Sequence, residues 1–150
     1  MNIEFYNPEK MTDEMMSLLL IADPDEGEVK GYLKGASVLT AKYGSILTGI
    51  AVLIVRNDEF KLINIAVKEN HQGMGIAKLL IMKIMELARK MGAAELLVGT
   101  GNSSLSQLAL YQKCGFRISH IKTDFFASYA DPIYENGIRC LDMVVLRAKL

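Results

Sequence analysis

Cysteine, proline and tryptophan are scarce in this sequence, and neither sign of charge dominates. Its 150 residues include two cysteines, three prolines and no tryptophan. Cys114 and Cys140 form no CxxC pair, which excludes a disulfide framework and the common zinc motifs, and we expect both to be reduced thiols. The 17 basic and 17 acidic residues cancel, so the charge excess that is typical of nucleic-acid-binding proteins is absent.

Long apolar runs are missing too. No stretch approaches the roughly 20 apolar residues that cross a bilayer, and we expect no membrane partner. Residues 1–4 show neither the charged nor the apolar region of a signal peptide, which predicts a cytoplasmic protein. Hydrophobic residues nevertheless make up 51% of the chain. A length of 150 residues favours one domain, 1–150, with a sizeable core.

The most informative stretch, residues 62–80, reads as a strand, a polar turn and a glycine-rich helix start. Apolar residues alternate along 63–67 as in a half-buried strand. Gly73 and Gly75 then open a helix that we expect to end at Gly92. A helix start with bare backbone amides and the positive end of the helix dipole binds anions. This stretch therefore predicts a phosphate or pyrophosphate site.

Two familiar nucleotide motifs are excluded at this site. The dinucleotide pattern G-x-G-x-x-G fails because Lys78 stands at the third glycine position after Gly73 and Gly75. The P-loop pattern fails because no Gly-Lys-Ser/Thr follows. The pattern that fits is Gln-x-x-Gly-x-Ala, formed by Gln72, Gly75 and Ala77.

A second motif, Leu-Tyr-Gln-Lys-Cys-Gly-Phe, occupies residues 110–116. It closes a helix that we predict over 105–113, with Leu105, Leu108, Ala109 and, where it is a core residue, Tyr111 on its buried side and Gly115 after its end. The two motifs, in this order, resemble those of the GNAT superfamily of N-acetyltransferases, in particular its small bacterial members. The family-like elements extend from residue 36 to about residue 146.

The resemblance implies the α/β (α+β) GNAT fold: a mixed, mainly antiparallel seven-stranded sheet flanked by about four helices and splayed open between strands 4 and 5. The sequence pattern itself predicts strands and helices in an order that agrees. The predicted strands are 2–6, 36–43, 46–55, 63–67, 94–99, 116–124 and 138–146, and the predicted helices are 12–22, 26–33, 76–91 and 105–113. A long connection, 125–137, precedes the last strand.

The resemblance also implies that acetyl-CoA is a co-substrate, that pantetheine bonds to the fourth strand, and that no metal takes part. The pyrophosphate would lie on the helix start. The implied cofactor-binding residues are Ile65, Ala66, Val67, Gln72, Gly73, Met74, Gly75, Ile76, Ala77 and Lys78. Asn102 and Ser104 are alternative further contacts to pantetheine. The family usually has an asparagine seven positions before the tyrosine. Here Asn102 lies nine positions before Tyr111, and Ser104 stands at the seventh.

By the same resemblance, Tyr111 is the general acid that protonates the leaving thiolate; otherwise it is a core aromatic residue. The general base is not evident. Asn64 and Gly99 stand where the family often has a glutamate, and neither takes up a proton at neutral pH. His120, Asp124, Asp142 or a water chain remain as alternatives.

The sequence thus predicts an N-acetyltransferase that acts on a primary amine of a small molecule or peptide, with a homodimer as one possible assembly. The alternative is a non-catalytic acyl-CoA-binding or sensor protein of the same fold. An acidic cluster, Asp23, Asp25, Glu26 and Glu28, has two interpretations as well: an ordinary solvated helix start, or an attraction for a cationic acceptor.

Overall fold

A computed structural model describes all residues, Met1–Leu150. Its contacts divide the chain into two compact units, Met1–Ala93 and Ala94–Leu150. The elements of the first unit are strands β1 (Asn2–Tyr6), β2 (Ser37–Tyr43), β3 (Ile46–Arg56) and β4 (Glu59–Val67), and helices α1 (Asp13–Ala22), α2 (Glu26–Leu33) and α3 (Ile76–Lys90). The predicted elements of this unit are therefore confirmed within a few residues.

The strands of the first unit form an antiparallel sheet in the order β1-β2-β3-β4. A two-residue turn joins β3 to β4, because Arg56 pairs with Glu59. Asn57 and Asp58, between them, both have positive φ (51° and 64°). That conformation suits the right-handed twist of a hairpin, and asparagine and aspartate tolerate it well.

Helices cover both faces of this sheet. Ile50, Val52 and Ile54 of β3 cluster with buried residues of α1 and α2. Gly49 is one residue out of phase with them, and a Cβ built on it would lie 3.1 Å from side-chain carbons of both Ile76 and Leu80 in α3. Successive side chains of a strand point to opposite faces. Hence α1 and α2 pack on one face and α3 on the other.

The buried faces of the helices agree with the predicted periodicity, with two exceptions at helix ends. Met15, Leu18 and Leu19 of α1 are buried as expected. Ala22, at the end of α1, and Met91, just after α3, are exposed.

The second unit is built around its last strand. Its elements are β5 (Glu95–Gly101), α4 (Leu105–Lys113), β6 (Arg117–Lys122), β7 (Tyr134–Glu135), β8 (Ile138–Arg139) and β9 (Met143–Lys149). Strand β9 lies between β5 and β6 and is antiparallel to both. The two units together contribute four and three strands to the expected seven.

The prediction of one strand over 138–146 is wrong. The segment is divided into β8 and β9, and β8 pairs with β7 in a small separate hairpin. The interruption has a local cause: the side-chain oxygen of Asn102 accepts hydrogen bonds from the backbone N–H groups of Leu141 and Asp142, each at 2.9 Å. These groups therefore bond to a side chain and not to a neighbouring strand.

Glycines in β5 make room for sulfur atoms. A Cβ on Gly99 would lie 2.7 Å from Sδ of Met143, and a Cβ on Gly101 would lie 2.5 Å from Sγ of Cys140. Such approaches are too close for any side chain without a shift of its neighbour. Close packing thus explains why Gly99 carries no catalytic side chain.

Helix α4 has the predicted bounds but only part of the predicted buried face. Leu105 and Ala109 are exposed, and Tyr111 is the buried residue. Within its unit α4 contacts β6, all six residues of which are exposed. A strand with so little cover leaves the helix little surface to be buried against.

Candidate active site

The start of α3 is an open turn of backbone amides. Gly75 is its N-cap residue, has φ 81° and ψ 9°, and offers no side-chain cap. Gly73 also has positive φ (77°), and a Cβ on either glycine would meet nothing within 4 Å. The first four N–H groups of a helix have no intrahelical partner. No side chain caps the helix start of α3, so these N–H groups are available to an anion such as a pyrophosphate.

The charges at this helix start also favour an external anion. Helix N-termini are commonly stabilised by acidic side chains in the first turn, and α3 has none there. Lys78, in that turn, is exposed. A cation at this position opposes the helix dipole, and a bound anion would compensate for it. The residues present therefore fit the diphosphate of coenzyme A.

The polar turn before the helix is tied to the end of β4. The Gln72 side-chain amide donates a hydrogen bond to the carbonyl oxygen of Val67 at 3.2 Å. The backbone N–H of Lys68 donates to the carbonyl oxygen of Thr48 on β3 at 2.8 Å. Ile65, Ala66 and Val67 form the last residues of β4. The structure thus brings ten of the predicted cofactor-binding residues, 65–67 and 72–78, into one strand end and one turn.

Tyr111 is buried near the end of α4. Only 4% of its surface is exposed, and its ring packs edge-to-face on Phe116 with centroids 5.7 Å apart. Burial raises the pKa of the Tyr111 hydroxyl well above its usual value, and Cys114 adds to the effect. Tyr111 therefore keeps its proton at neutral pH, as a proton donor must.

Asn102 and Ser104 have structural partners that the sequence did not indicate. In addition to the two bonds that it accepts, Asn102 donates through its side-chain nitrogen to the carbonyl oxygen of Arg139 at 3.1 Å. The Ser104 hydroxyl donates to a carboxylate oxygen of Glu135 at 2.9 Å. The expected flexible loop is thus a tethered turn. Contact of either residue with pantetheine stays a prediction.

The candidate bases of the second unit have local partners. His120 Nδ1 lies 3.1 Å from the hydroxyl of Ser119. The Asp142 carboxylate accepts a hydrogen bond from the backbone N–H of Asp124 at 2.8 Å. These contacts give Asp142 a role in holding the segment 124–142.

The polar group that sequence reasoning missed lies in the first unit. Asn64 is 4% exposed, and its side-chain nitrogen donates to the carbonyl oxygen of Leu19 at 3.0 Å and to the Tyr32 hydroxyl at 2.9 Å. The Tyr32 hydroxyl in turn donates to the Asp23 carboxylate at 3.4 Å. An asparagine inside an apolar strand, and a tyrosine on the buried side of α2, were the signals available in the sequence.

The other acidic residues near Asp23 have ordinary local roles. Asp25 is the N-cap of α2 and accepts a hydrogen bond from the N–H of Glu28 at 3.1 Å. Glu26 forms an exposed ion pair with Lys30 at 3.2 Å. These contacts favour the interpretation of a solvated helix start for Asp25, Glu26 and Glu28.

The chain has no cluster of three or more His, Cys, Asp or Glu side chains that could hold a metal ion. None of its helices combines the length and the apolar character needed to cross a membrane.

Comparison with known proteins identifies the family. The sequence matches the acetyltransferase (GNAT) family over residues 4–116. It is 48% identical to the N-acetyltransferase YvbK of Bacillus subtilis (strain 168), itself uncharacterized, over 140 residues that cover 92% of this chain and 90% of YvbK.

Two solved structures connect the fold to the coenzyme. A Bacillus subtilis acetyltransferase in complex with CoA has a TM-score of 0.93 and 46% identity, with coverage of 99% of this chain and 97% of that one. A GNAT acetyltransferase of Elizabethkingia anophelis with acetyl-CoA bound has a TM-score of 0.92 and 38% identity, with the same coverage. The predicted fold is confirmed, and the chain belongs to the GNAT family of acetyl-CoA-dependent N-acetyltransferases.

Proposed function

We propose that this enzyme moves the acetyl group of acetyl-CoA directly to a primary amine of a small molecule or a peptide, with Tyr111 as the general acid. The observation that carries the proposal is the open amide turn at the start of α3, where Gly73 and Gly75 leave the space above the backbone free. The CoA and acetyl-CoA complexes of two similar proteins support it.

In this proposal, the backbone of residues 65–67 holds pantetheine and the turn over residues 72–78 holds the pyrophosphate. The N–H groups at the helix start and the charge of Lys78 supply the attraction for the anion. The bond from Gln72 to Val67 keeps the turn at a fixed position relative to the strand. Such preorganisation lowers the entropic cost of binding.

The reaction joins the amine nitrogen to the acetyl carbonyl carbon and breaks the bond from that carbon to sulfur. The leaving thiolate takes one proton, which Tyr111 supplies. A free thiol has a pKa of about 8.5 and a phenol one of about 10, and the raised pKa of Tyr111 makes its proton harder to release before the reaction. The donation therefore takes place as negative charge develops on sulfur.

Thiol release from acetyl-CoA, measured with a panel of small primary amines and of peptides with free N-termini, tests this proposal. We expect release above the amine-free background with at least one class of amine. Binding of CoA without turnover on the whole panel would contradict transfer to an amine.

A further inference from the structure

We propose that Asp23, Tyr32 and Asn64 form the site that receives the acceptor amine and removes its proton. We call this set the Asp23 relay. The proposal rests on the proposed amine acetylation, because it names the residues that accept the proton in that reaction. Nothing in the two sequence motifs pointed to these three residues together.

The three side chains form one chain of hydrogen bonds within the first unit. Asn64 lies on β4 directly before Ile65, the first residue of the proposed pantetheine strand. Its side-chain nitrogen donates to the Tyr32 hydroxyl, which donates to the Asp23 carboxylate. The chain thus leads from a residue next to the reacting end of the coenzyme to a carboxylate in the segment between α1 and α2.

The side-chain oxygen of Asn64 is the second observation. It is buried and has no hydrogen-bond partner in the protein. Its orientation is fixed, because the Leu19 carbonyl can only accept a hydrogen bond and so requires the nitrogen on its side. An acceptor that is buried without a partner loses its bond to water and gains none in return, which is unfavourable. A donor from outside the chain, an amine N–H or a water that carries its proton, removes that cost.

The pKa of the Tyr32 hydroxyl suits a group that relays a proton and does not suit a base that acts alone. Burial raises the pKa of Tyr32 to about 12; the hydrogen bond from Asn64 lowers it, and the charges of Asp23 and Glu28 raise it. On α1, the carboxylate of Glu14 is paired with Lys68. Tyr32 therefore stays protonated at neutral pH. It can accept a proton only as it passes its own to Asp23.

The proton balance of the reaction closes with this arrangement. An acceptor ammonium gives its first proton to the Tyr32 oxygen while the Tyr32 proton passes to the Asp23 carboxylate and then to solvent. The free amine attacks the acetyl carbon. The nitrogen loses its second proton in the same way. The thiolate gains one proton from Tyr111, which recovers it from solvent. The net products are the amide, the free thiol and one proton.

Three substitutions separate this role from a structural one. Tyr32→Phe removes only the hydroxyl. Asp23→Asn removes the charge but keeps a side-chain oxygen that can accept the hydrogen bond from the backbone N–H of Asp25, which Asp23 accepts at 3.2 Å in the wild-type protein. The matched control is Asp25→Asn, which removes one charge from the same segment and conserves the helix cap. The side chain of Asp25 makes no hydrogen bond to Tyr32 or Asn64. The substrates are acetyl-CoA and the amine from the panel with the highest turnover.

We expect Tyr32→Phe and Asp23→Asn to lower kcat at pH 7 by about 10²-fold, the lower end of the effect of a general base, and Asp25→Asn to leave kcat unchanged. The loss should shrink about tenfold per pH unit from pH 7 to 9, because the free fraction of an alkylamine with a pKa of about 10.4 rises by that factor. Calorimetry should give wild-type CoA affinity for all three variants.

A loss of kcat that does not change with pH would overturn the proposal, as would an equal loss in Asp25→Asn. If Tyr32→Phe fails to fold, Asp23→Asn gives the answer alone. A wild-type protein without turnover on any amine would refute the proposed function itself, whereas normal wild-type turnover with unaffected relay variants would refute only the relay.

Discussion

A negative charge at Gly75 should abolish the coenzyme site while the fold persists. Gly75→Glu introduces a side chain at φ 81°, which costs about 1–2 kcal/mol of stability. No atom lies within 4 Å of the new Cβ, so no clash adds to that cost. The carboxylate would stand in the space that the pyrophosphate is proposed to fill.

The electrostatic penalty follows from Coulomb's law. Two unit charges about 5 Å apart at an effective dielectric constant of about 20 repel by about 3 kcal/mol. That energy corresponds to a loss of about 10²-fold in affinity. The double charge of a pyrophosphate makes this a lower limit. We therefore expect CoA affinity to fall at least 10²-fold, as measured by isothermal titration calorimetry.

The other end of α3 supplies a matched control. Gly92 also has a positive φ (93°), and a Cβ on it would meet nothing within 4 Å. Gly92→Glu thus adds the same backbone strain and the same charge, but at the C-terminus of the helix. A carboxylate is favoured at a helix N-terminus and disfavoured at its C-terminus, so thermal melting should show Gly92→Glu to be at least as destabilised as Gly75→Glu. CoA affinity should stay at the wild-type level for Gly92→Glu. Wild-type affinity of a folded Gly75→Glu protein would refute the proposed pyrophosphate site.

Substitutions at Tyr111, at Asn102 and at the two glycines of β5 test the proposed acid, the tethered turn and the packing of β5. Tyr111→Phe keeps the ring packing and removes the acid, so turnover in the thiol-release assay should fall about 10²–10⁴-fold with little change in CoA affinity; wild-type turnover would make Tyr111 a core residue only. Asn102→Ala leaves two N–H groups and one carbonyl without their partner and should lower the free energy of unfolding, measured in urea, by about 2–3 kcal/mol. Asn102→Asp should lower that free energy less, because it keeps the accepting oxygen. Gly101→Ala should destabilise the protein more than Gly99→Ala, within the range of about 1–3 kcal/mol for overpacking. The reason is that the buried Cys140 thiol opposite Gly101 cannot rotate away, whereas the flexible Met143 thioether opposite Gly99 can. The reverse order of stability would contradict this reasoning.

The sequence predicted the open glycine turn before α3 because the cause of that turn is local. Glycines at 73 and 75, a helical periodicity from Ile76 and the absence of acidic residues in the first turn are all properties of neighbouring residues. The same holds for α2 and α4, whose bounds were predicted correctly. Local chemistry fixes each of these elements.

The missed features depend on residues far apart in the chain. The break between β8 and β9 follows from hydrogen bonds that Asn102 accepts from Leu141 and Asp142, a separation of about forty positions that no periodicity reveals. Asn64 of β4 forms hydrogen bonds with Leu19 and Tyr32 because α1 and α2 pack on the sheet. Sequence patterns do not specify which side chains a tertiary fold brings together.

The prediction of which α4 residues are buried was partly wrong for a related reason. An apolar residue at helical spacing predicts a buried face only if a surface exists to receive it. Strand β6 is exposed along its whole length, and Leu105 remains exposed beside it. Burial is thus a property of both partners, and the helix sequence describes one of them.

The most direct test of the central claim is the fate of the acetyl group. Wild-type protein is incubated with acetyl-CoA and the best amine of the panel, and mass spectrometry of the amine is compared with the amount of free thiol. The account predicts one N-acetylated amine for each thiol released. Thiol released with acetate, and without acetylated amine, would contradict it.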